Sequence, residues 1–246
     1  GDRVIKYFAD ANITSNRVER TQYLPGVTPT IENYKNHFYS YIKIDGNVLY
    51  DVLNESLVTK FLLWCEDHLW LRHQLTDSAS KLYHQACKEF YFTKTNERLK
   101  AFYDTTDIED KEHIINGIDV PSQETLFSLI DWQTIMNGLP TGFHGDLQFD
   151  NVLYTNHQDN FILLDWRQDF GGILEYGDLY YDLSKLYGGM ILPYKNIKEN
   201  KFSFDMSANN IFYTYEMNNS LIEAREAFEL FVKDNGYDLS KIKIIT

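Results

Sequence analysis

Two cysteines in 246 residues, Cys65 and Cys87, are too few for a disulfide framework or a cysteine-rich zinc module. Basic residues are scarce as well: 23 Lys and Arg stand against 36 Asp and Glu, a net charge of −13. Such an acidic balance argues against a nucleic-acid partner, because phosphate backbones are bound by a basic face, and against docking on an anionic membrane. No apolar run reaches the ~18 residues of a membrane span. The charged start, with Asp2, Arg3, Lys6 and Asp10, is not a signal peptide, so the cytoplasm is the expected compartment. Internal repeats and low-complexity tracts are lacking too. Rings are plentiful: 18 Tyr, 16 Phe and 4 Trp, within 43% hydrophobic residues, are the makings of a folded core rather than a disordered chain. The length of 246 residues fits one large or two small domains.

The first 46 residues differ in pattern from the rest. Val4 to Phe8 reads as a strand, Ser15 to Arg20 opens a helix that ends before Pro25-Gly26, and His37 to Ile44 is an aromatic, β-branched strand closed by Asp45-Gly46. After Asp51 the apolar spacing turns helical. Leu57, Val58, Phe61, Leu62 and Cys65 share one helix face, as do Ala79, Leu82, Tyr83, Ala86 and Phe90. Both cysteines thereby read as core thiols, and Cys65 with His68 and His73 lacks the spacing of a metal motif. Residues 104–112 form an acidic, exposed connection, and Pro121-Ser122 with Glu124 starts a helix running towards Asn137-Gly138. Leu221, Ala224, Phe228, Phe231 and Val232 mark a final helix.

Residues 140–165 interrupt the helical pattern. Asn151 to Tyr154 and Phe161 to Leu164 are short apolar strands around the polar turn 156–160, a β-hairpin. The hairpin returns Asp165 beside Asn151, and an Asn and an Asp converging at strand ends make an oxygen-rich pocket suited to Mg²⁺. Asp146, five residues before Asn151, is close enough to orient or deprotonate a hydroxyl. A metal clamp plus a nucleophile-positioning acid is the parts list of phosphoryl transfer.

His144-x-Asp146-x-x-x-x-Asn151 followed by Leu164-Asp165-Trp166 resembles the signature of the aminoglycoside phosphotransferase and choline kinase family of small-molecule kinases. The segment Gly177-Asp178-Leu-Tyr-Tyr-Asp182-Leu183 resembles the acidic stretch that braces the catalytic loop in that family. The resemblance implies an α+β, protein-kinase-like fold. A small β-containing N-lobe with hinge would span residues 1–46, and a larger, mainly helical C-lobe residues 47–246. It implies Asp146 as catalytic base, with His144 bracing its loop, and Asn151 and Asp165 as the Mg²⁺ ligands. ATP would be held by Lys6 at its phosphates, with Glu19 as the helix partner of that lysine. The adenine would meet backbone near Ile42 and Ile44. One departure stands out: only five residues precede Lys6, and none forms the family's glycine-rich hairpin. Either the chain is a fragment of a longer polypeptide, its N-lobe truncated and Gly1 a cloning remnant, or the roof over the phosphates is absent.

The acceptor is less legible. The net charge of −13, with Asp169, Glu175, Asp178 and Asp182 after the metal site, favours a cationic small molecule through electrostatic focusing. Trp166, Tyr176, Tyr180, Tyr181 and Tyr187 are candidates for holding an ammonium group by cation–π attraction, as choline would require. Trp166, Asp169, Glu175 and Tyr180 are the substrate residues this reading selects. An aminoglycoside or a sugar precursor of cell-surface polysaccharide fits the same machinery. A kinase-like module that binds a nucleotide or small ligand without turnover is the competing class. Oligomeric state leaves no mark in the sequence.

Overall fold

The computed structural model describes residues 2–155 and 157–246. Gly1, and Asn156 at the start of the hairpin turn, lie outside the described residues. Near the N-terminus, Arg3–Tyr7 forms strand β1, whose alternation turns Val4 and Lys6 inward and leaves Ile5 and Tyr7 exposed. Helix α1 spans Ala11–Arg20, longer than the apolar spacing indicates, because the Asp10 carboxylate accepts from the Asn12 amide at 2.8 Å and caps it early. Its buried residues are Thr14 and Arg20, so hydrophobic periodicity does not announce this helix. Strand β2, Ile31–Lys35, is mostly exposed and has no alternating pattern to reveal it. It pairs with β3, Phe38–Ile42, which also pairs antiparallel with β1 and places Lys6 opposite Tyr39. The sheet order is β1-β3-β2.

Beyond β4, Asn47–Val48, helices dominate: α2 is Glu55–His68, α3 Asp77–Lys88 and α4 Lys94–Thr105. Asn54 and Thr76 cap the first two by accepting from the Leu57 and Ala79 amides. Cys65 and Cys87 are free and buried, and burial pushes the Cys87 thiol up to about 12 and Cys65 well above its ordinary value. Inert core thiols are the result. A π-helical turn, Glu89–Thr93, joins α3 to α4. Helix α4 continues to Thr105, so the acidic stretch begins as helix. It ends in a hairpin of β5, His113–Ile115, and β6, Ile118–Val120. Asn116-Gly117, with φ of +48° and +82°, is the turn, a hairpin signal hidden behind the surrounding carboxylates.

The helix expected between Pro121 and Asn137 is two short ones, α5, Gln123–Ser128, and α6, Trp132–Met136. Asp131 breaks the run by accepting from the Gln133 and Thr134 amides at 3.0 and 3.3 Å. Next come β7, Pro140–Thr141, the hairpin strands β8, Val152–Thr155, and β9, Asn160–Leu163, then β10, Gly177–Asp178. Strand β7 pairs with β10, while β4 joins the hairpin in the order β4-β8-β9. Helices α7, Leu179–Ile191, and α8, Tyr194–Lys198, lead to a second hairpin, β11, Phe202–Ser207, with β12, Asn210–Tyr215. Strand β12 pairs in parallel with β5, giving a four-stranded sheet in the order β11-β12-β5-β6. The chain closes with α9, Asn219–Asp234, and α10, Leu239–Ile245.

The fold is thus a mixed one of small sheets and many helices. Its largest core joins Val27, Tyr39 and Tyr41 to Val58, Trp166 and Phe228, so packing is continuous across the domain boundary expected at residue 46. Among the described residues, no helix is long and apolar enough to cross a membrane.

Candidate active site

The loop between β7 and β8 carries His144, Asp146 and Asn151. Gly145 sits between the first two at φ +88°, where a side chain would run into Arg167 Cβ at 2.6 Å and the Phe143 ring at 2.9 Å. Only glycine allows the chain to reverse in that space. The fully buried His144 then ties the loop to the end of β9. Its Nε2 donates to the Leu164 carbonyl at 2.8 Å, and its Nδ1 accepts from the Asp146 amide at 3.2 Å. These partners require the neutral ring with its proton on Nε2. Burial, chiefly, pulls the imidazole from 6.5 to about 4.

A folded-state value below the unfolded one means that His144 supports stability above pH 6.5, and that this support is lost as pH falls through about 4. Denaturation midpoints of the wild type and His144→Gln should therefore differ most above pH 6.5. The gap should shrink by up to about 3 kcal/mol on acidification to pH 4. A gap independent of pH would contradict a neutral, buried ring.

The backbone around His144 is held by Asp182 on α7. Its Oδ2 accepts from the His144 amide at 2.7 Å and from Trp70 Nε1 at 3.2 Å, and its Oδ1 from the Gly145 amide at 2.7 Å. Asp178 does similar work one turn earlier, accepting from Leu139 N, Tyr91 Oη and Tyr180 N. Both carboxylates are fully buried and committed to these contacts, which removes them from any acceptor site. Arg20, from α1, is also fully buried. It donates to the carbonyls of Phe143, Leu174 and Arg167, and its guanidinium stacks 4.0 Å from the Phe143 ring centroid. Desolvation lowers it to about 9, so it remains charged at neutral pH.

Within this frame, Asn151 Nδ2 donates to the Asp146 carbonyl at 2.8 Å, while the Asn151 carbonyl accepts from Leu164 N at 2.8 Å across the hairpin. Asp165 follows Leu164 directly and takes the left-handed conformation, φ +57°, uncommon for a residue with a side chain. Lys6 reaches it across 159 residues: Nζ lies 2.6 and 2.8 Å from the two carboxylate oxygens, with Arg17 Nη1 3.9 Å away. Asp146 Oδ1 is 3.1 Å from Lys185 Nζ on α7. The side chains of Asp146 and Asp165 are 43% and 37% exposed, enough for a ligand to reach both.

Not every residue selected from the sequence joins this frame. Glu19 is exposed, and the partner of Lys6 is Asp165, because α1 turns Arg17 and Arg20 inward, three residues apart, and carries Glu19 away. Ile42, 51% exposed, and the half-buried Ile44 close β3 and the segment after it. Trp166 cannot touch a substrate. It is fully buried, stacks on Tyr39 at 5.8 Å, and donates from Nε1 to the Arg17 carbonyl. The Tyr180 ring carries Lys241 Nζ at 4.2 Å. Asp169 accepts from the Gly172 amide, and Glu175 faces His73 at 3.8 Å. None of these four lines the cavity beside Asp146. Lys185 and Arg20 escape sequence reasoning because nothing local separates them from surface cations.

The donor chemistry fits Mg²⁺. No described residue donates to Asn151 Oδ1, since the amide nitrogen is the group spent on Asp146. With the Asp165 carboxylate it offers two hard oxygens from adjacent strand ends. Mg²⁺ takes such a set when phosphate and water fill its other positions.

No family model matches the chain, and no curated protein matches it. Among solved structures, an ethanolamine kinase of Plasmodium vivax is similar at 12% identity and a TM-score of 0.45. The match covers 99% of this chain and 64% of that one, so this chain spans less than two thirds of its length.

Proposed function

We propose that this chain is an ATP- and Mg²⁺-dependent phosphotransferase acting on a hydroxyl group of a small molecule. What supports the reading most is the convergence of Asp146, Asn151, Asp165 and Lys6 at one end of a hairpin, two carboxylates, an amide and an ammonium within one frame. Asn151 and Asp165 would hold the Mg²⁺, which supplies charge neutralisation at the nucleotide phosphates. Lys6 would exchange part of its contact with Asp165 for a phosphate oxygen, and the backbone near Ile42 and Ile44 would receive the adenine. Asp146 orients the acceptor hydroxyl and takes its proton as the phosphoryl group is transferred. Lys185 keeps that carboxylate paired and aimed. The brace through His144, Asp182 and Arg20 holds these groups in one geometry, which is most of what phosphoryl transfer asks of a protein. A module that only bound nucleotide would need Lys6 and Asp165 but not an accessible carboxylate at Asp146.

Purified protein should form ADP from Mg-ATP when a panel of sugars, sugar acids, amino alcohols and aminoglycosides is supplied. Asp165→Ala should weaken Mg-nucleotide binding by about 10- to 100-fold in a fluorescence titration, the size expected for one charge-assisted contact. Unchanged binding would take Asp165 out of the metal's donor set. Tight ATP binding with no ADP from any acceptor would favour the binding module.

A further inference from the structure

A cavity of about 440 Å³ opens beside Asp146, sharing with it Lys185 and the nearby Gln148. Its volume is in the range of small-molecule sites. Four cations line it, Lys94 and Arg98 from α4, Arg167 after β9 and Lys185 from α7, and no Asp or Glu side chain does. In a chain with 36 acidic against 23 basic residues, that composition runs opposite to the whole.

The aromatic walls are already used by the chain's own cations. Lys94 Nζ lies 4.1 Å and the Arg167 guanidinium 4.8 Å from the Phe90 ring centroid, while Lys185 Nζ is 5.7 Å from that of Tyr181. A ligand ammonium would find those rings taken and, besides Lys185, which Asp146 pairs, three like charges around it. Arg167 Nε is buried and has no partner among the described residues. Burial, followed by the neighbouring Arg167, pulls the Lys94 ammonium down from its ordinary value; Asp169 and Glu89, which act the other way, lie outside the lining. An anion in the cavity would relieve this crowding. On the open side, a side chain added at Gly189 would meet nothing within 4 Å.

We propose that this cavity receives the acceptor, and that the acceptor carries an anionic group, a carboxylate or a phosphate, besides the hydroxyl presented to Asp146. The anion sits among Lys94, Arg98 and Arg167, and the hydroxyl is turned towards the loop. The word acceptor rests on the phosphotransferase reading, whereas the charge preference rests on the cavity alone. This replaces the cationic acceptor that net charge favours.

Calorimetric titration of the intact protein with glucuronate, glucose 6-phosphate, glucose and choline tests it, with ADP formation followed separately. At least one anionic sugar should bind about tenfold or more tighter than glucose and choline, and the two anionic probes distinguish a carboxylate from a phosphate site. The double variant Lys94→Gln/Arg98→Gln, changed at a half-buried and an exposed position of α4, should lose that advantage while binding Mg-ATP as the wild type does. Failure of both anionic sugars to bind at millimolar concentration overturns the proposal. So does tighter binding of choline, or an unaltered anion affinity in the double variant. Anion binding without ADP formation defeats the phosphotransferase reading and leaves the anion site standing.

Discussion

Replacing Asp146 with Asn is expected to lower kcat by about 10²- to 10⁴-fold, the usual contribution of a positioned general base. Affinity for Mg-ATP should stay within about twofold, because the Asp146 carboxylate has no hydrogen bond to Lys6 or Asp165 and meets Asn151 only through Nδ2 at 3.5 Å. The 2.8 Å bond that holds Asn151 goes to the Asp146 backbone carbonyl, which the substitution leaves in place. The amide keeps the shape and one oxygen but cannot take a proton, and Lys185 loses its counter-charge. Stability should hardly change. The Asp146–Lys185 pair is partly open to water, and exposed ion pairs contribute about 0–1 kcal/mol. Steady-state kinetics with an acceptor that the wild type phosphorylates provides the measurement. Turnover within tenfold of the wild type would remove Asp146 from the chemistry, whereas a matching loss of ATP affinity would point to a distorted loop instead.

Asp182→Asn should produce the largest loss of stability. Its two oxygens accept from the His144 and Gly145 amides and from the Trp70 indole, all of them buried. An amide at this position turns one acceptor into a donor facing a donor, and leaves at least one buried N–H unpaired. A cost of about 2–4 kcal/mol follows, near 5–15 °C in Tm for a chain of this size. Activity should fall with it, because the loop that carries Asp146 and Asn151 hangs from those amides. Burial raises the Asp182 carboxyl from 3.8 to about 6 in the folded protein. A raised folded-state value contributes stability that is complete below 3.8 and is lost as pH rises through about 6. The advantage of the wild type over Asp182→Asn should accordingly widen between pH 6 and pH 4. A gap that narrowed over that interval would show that the carboxylate is held ionised by its three donors.

The local parts of the site were legible. Asp146, Asn151 and Asp165 lie within twenty residues, and the apolar strands between the last two announce the hairpin that joins them. The buried faces of α2 and α9 follow from helical spacing for the same reason, since neighbours along the chain report one another. On α3, by contrast, Tyr83 and Ala86 are buried but Leu82, expected on the same face, is 63% exposed. The sheet built from β5, β6, β11 and β12 was not legible from alternation, because its exposed faces remain apolar: Ile118, Phe202, Phe204 and Phe212 all face solvent. Strand β2 escaped for another reason, since Glu32, Asn33, Tyr34 and Lys35 are all exposed and leave no buried face to alternate. Arg20 is the sharper case. A charged residue in the last turn of a helix reads as surface, yet it is buried because the carbonyls it satisfies lie 123 to 154 residues away.

By itself, then, the sequence determined which groups are on offer: an acid, an amide and a second acid at the spacing that the proposed phosphoryl transfer would use, in an acidic chain with inert core thiols. Tertiary structure alone decided the partners of those groups and the charge of the cavity next to them. Lys6 meets Asp165 rather than Glu19, and Lys94, Arg98, Arg167 and Lys185 meet one another from three separate segments. Net charge sums over the whole surface, whereas a ligand feels mainly the groups within a screening length of about 10 Å. In this protein packing has gathered the minority charge in one cavity, joined to Asp146 through Lys185.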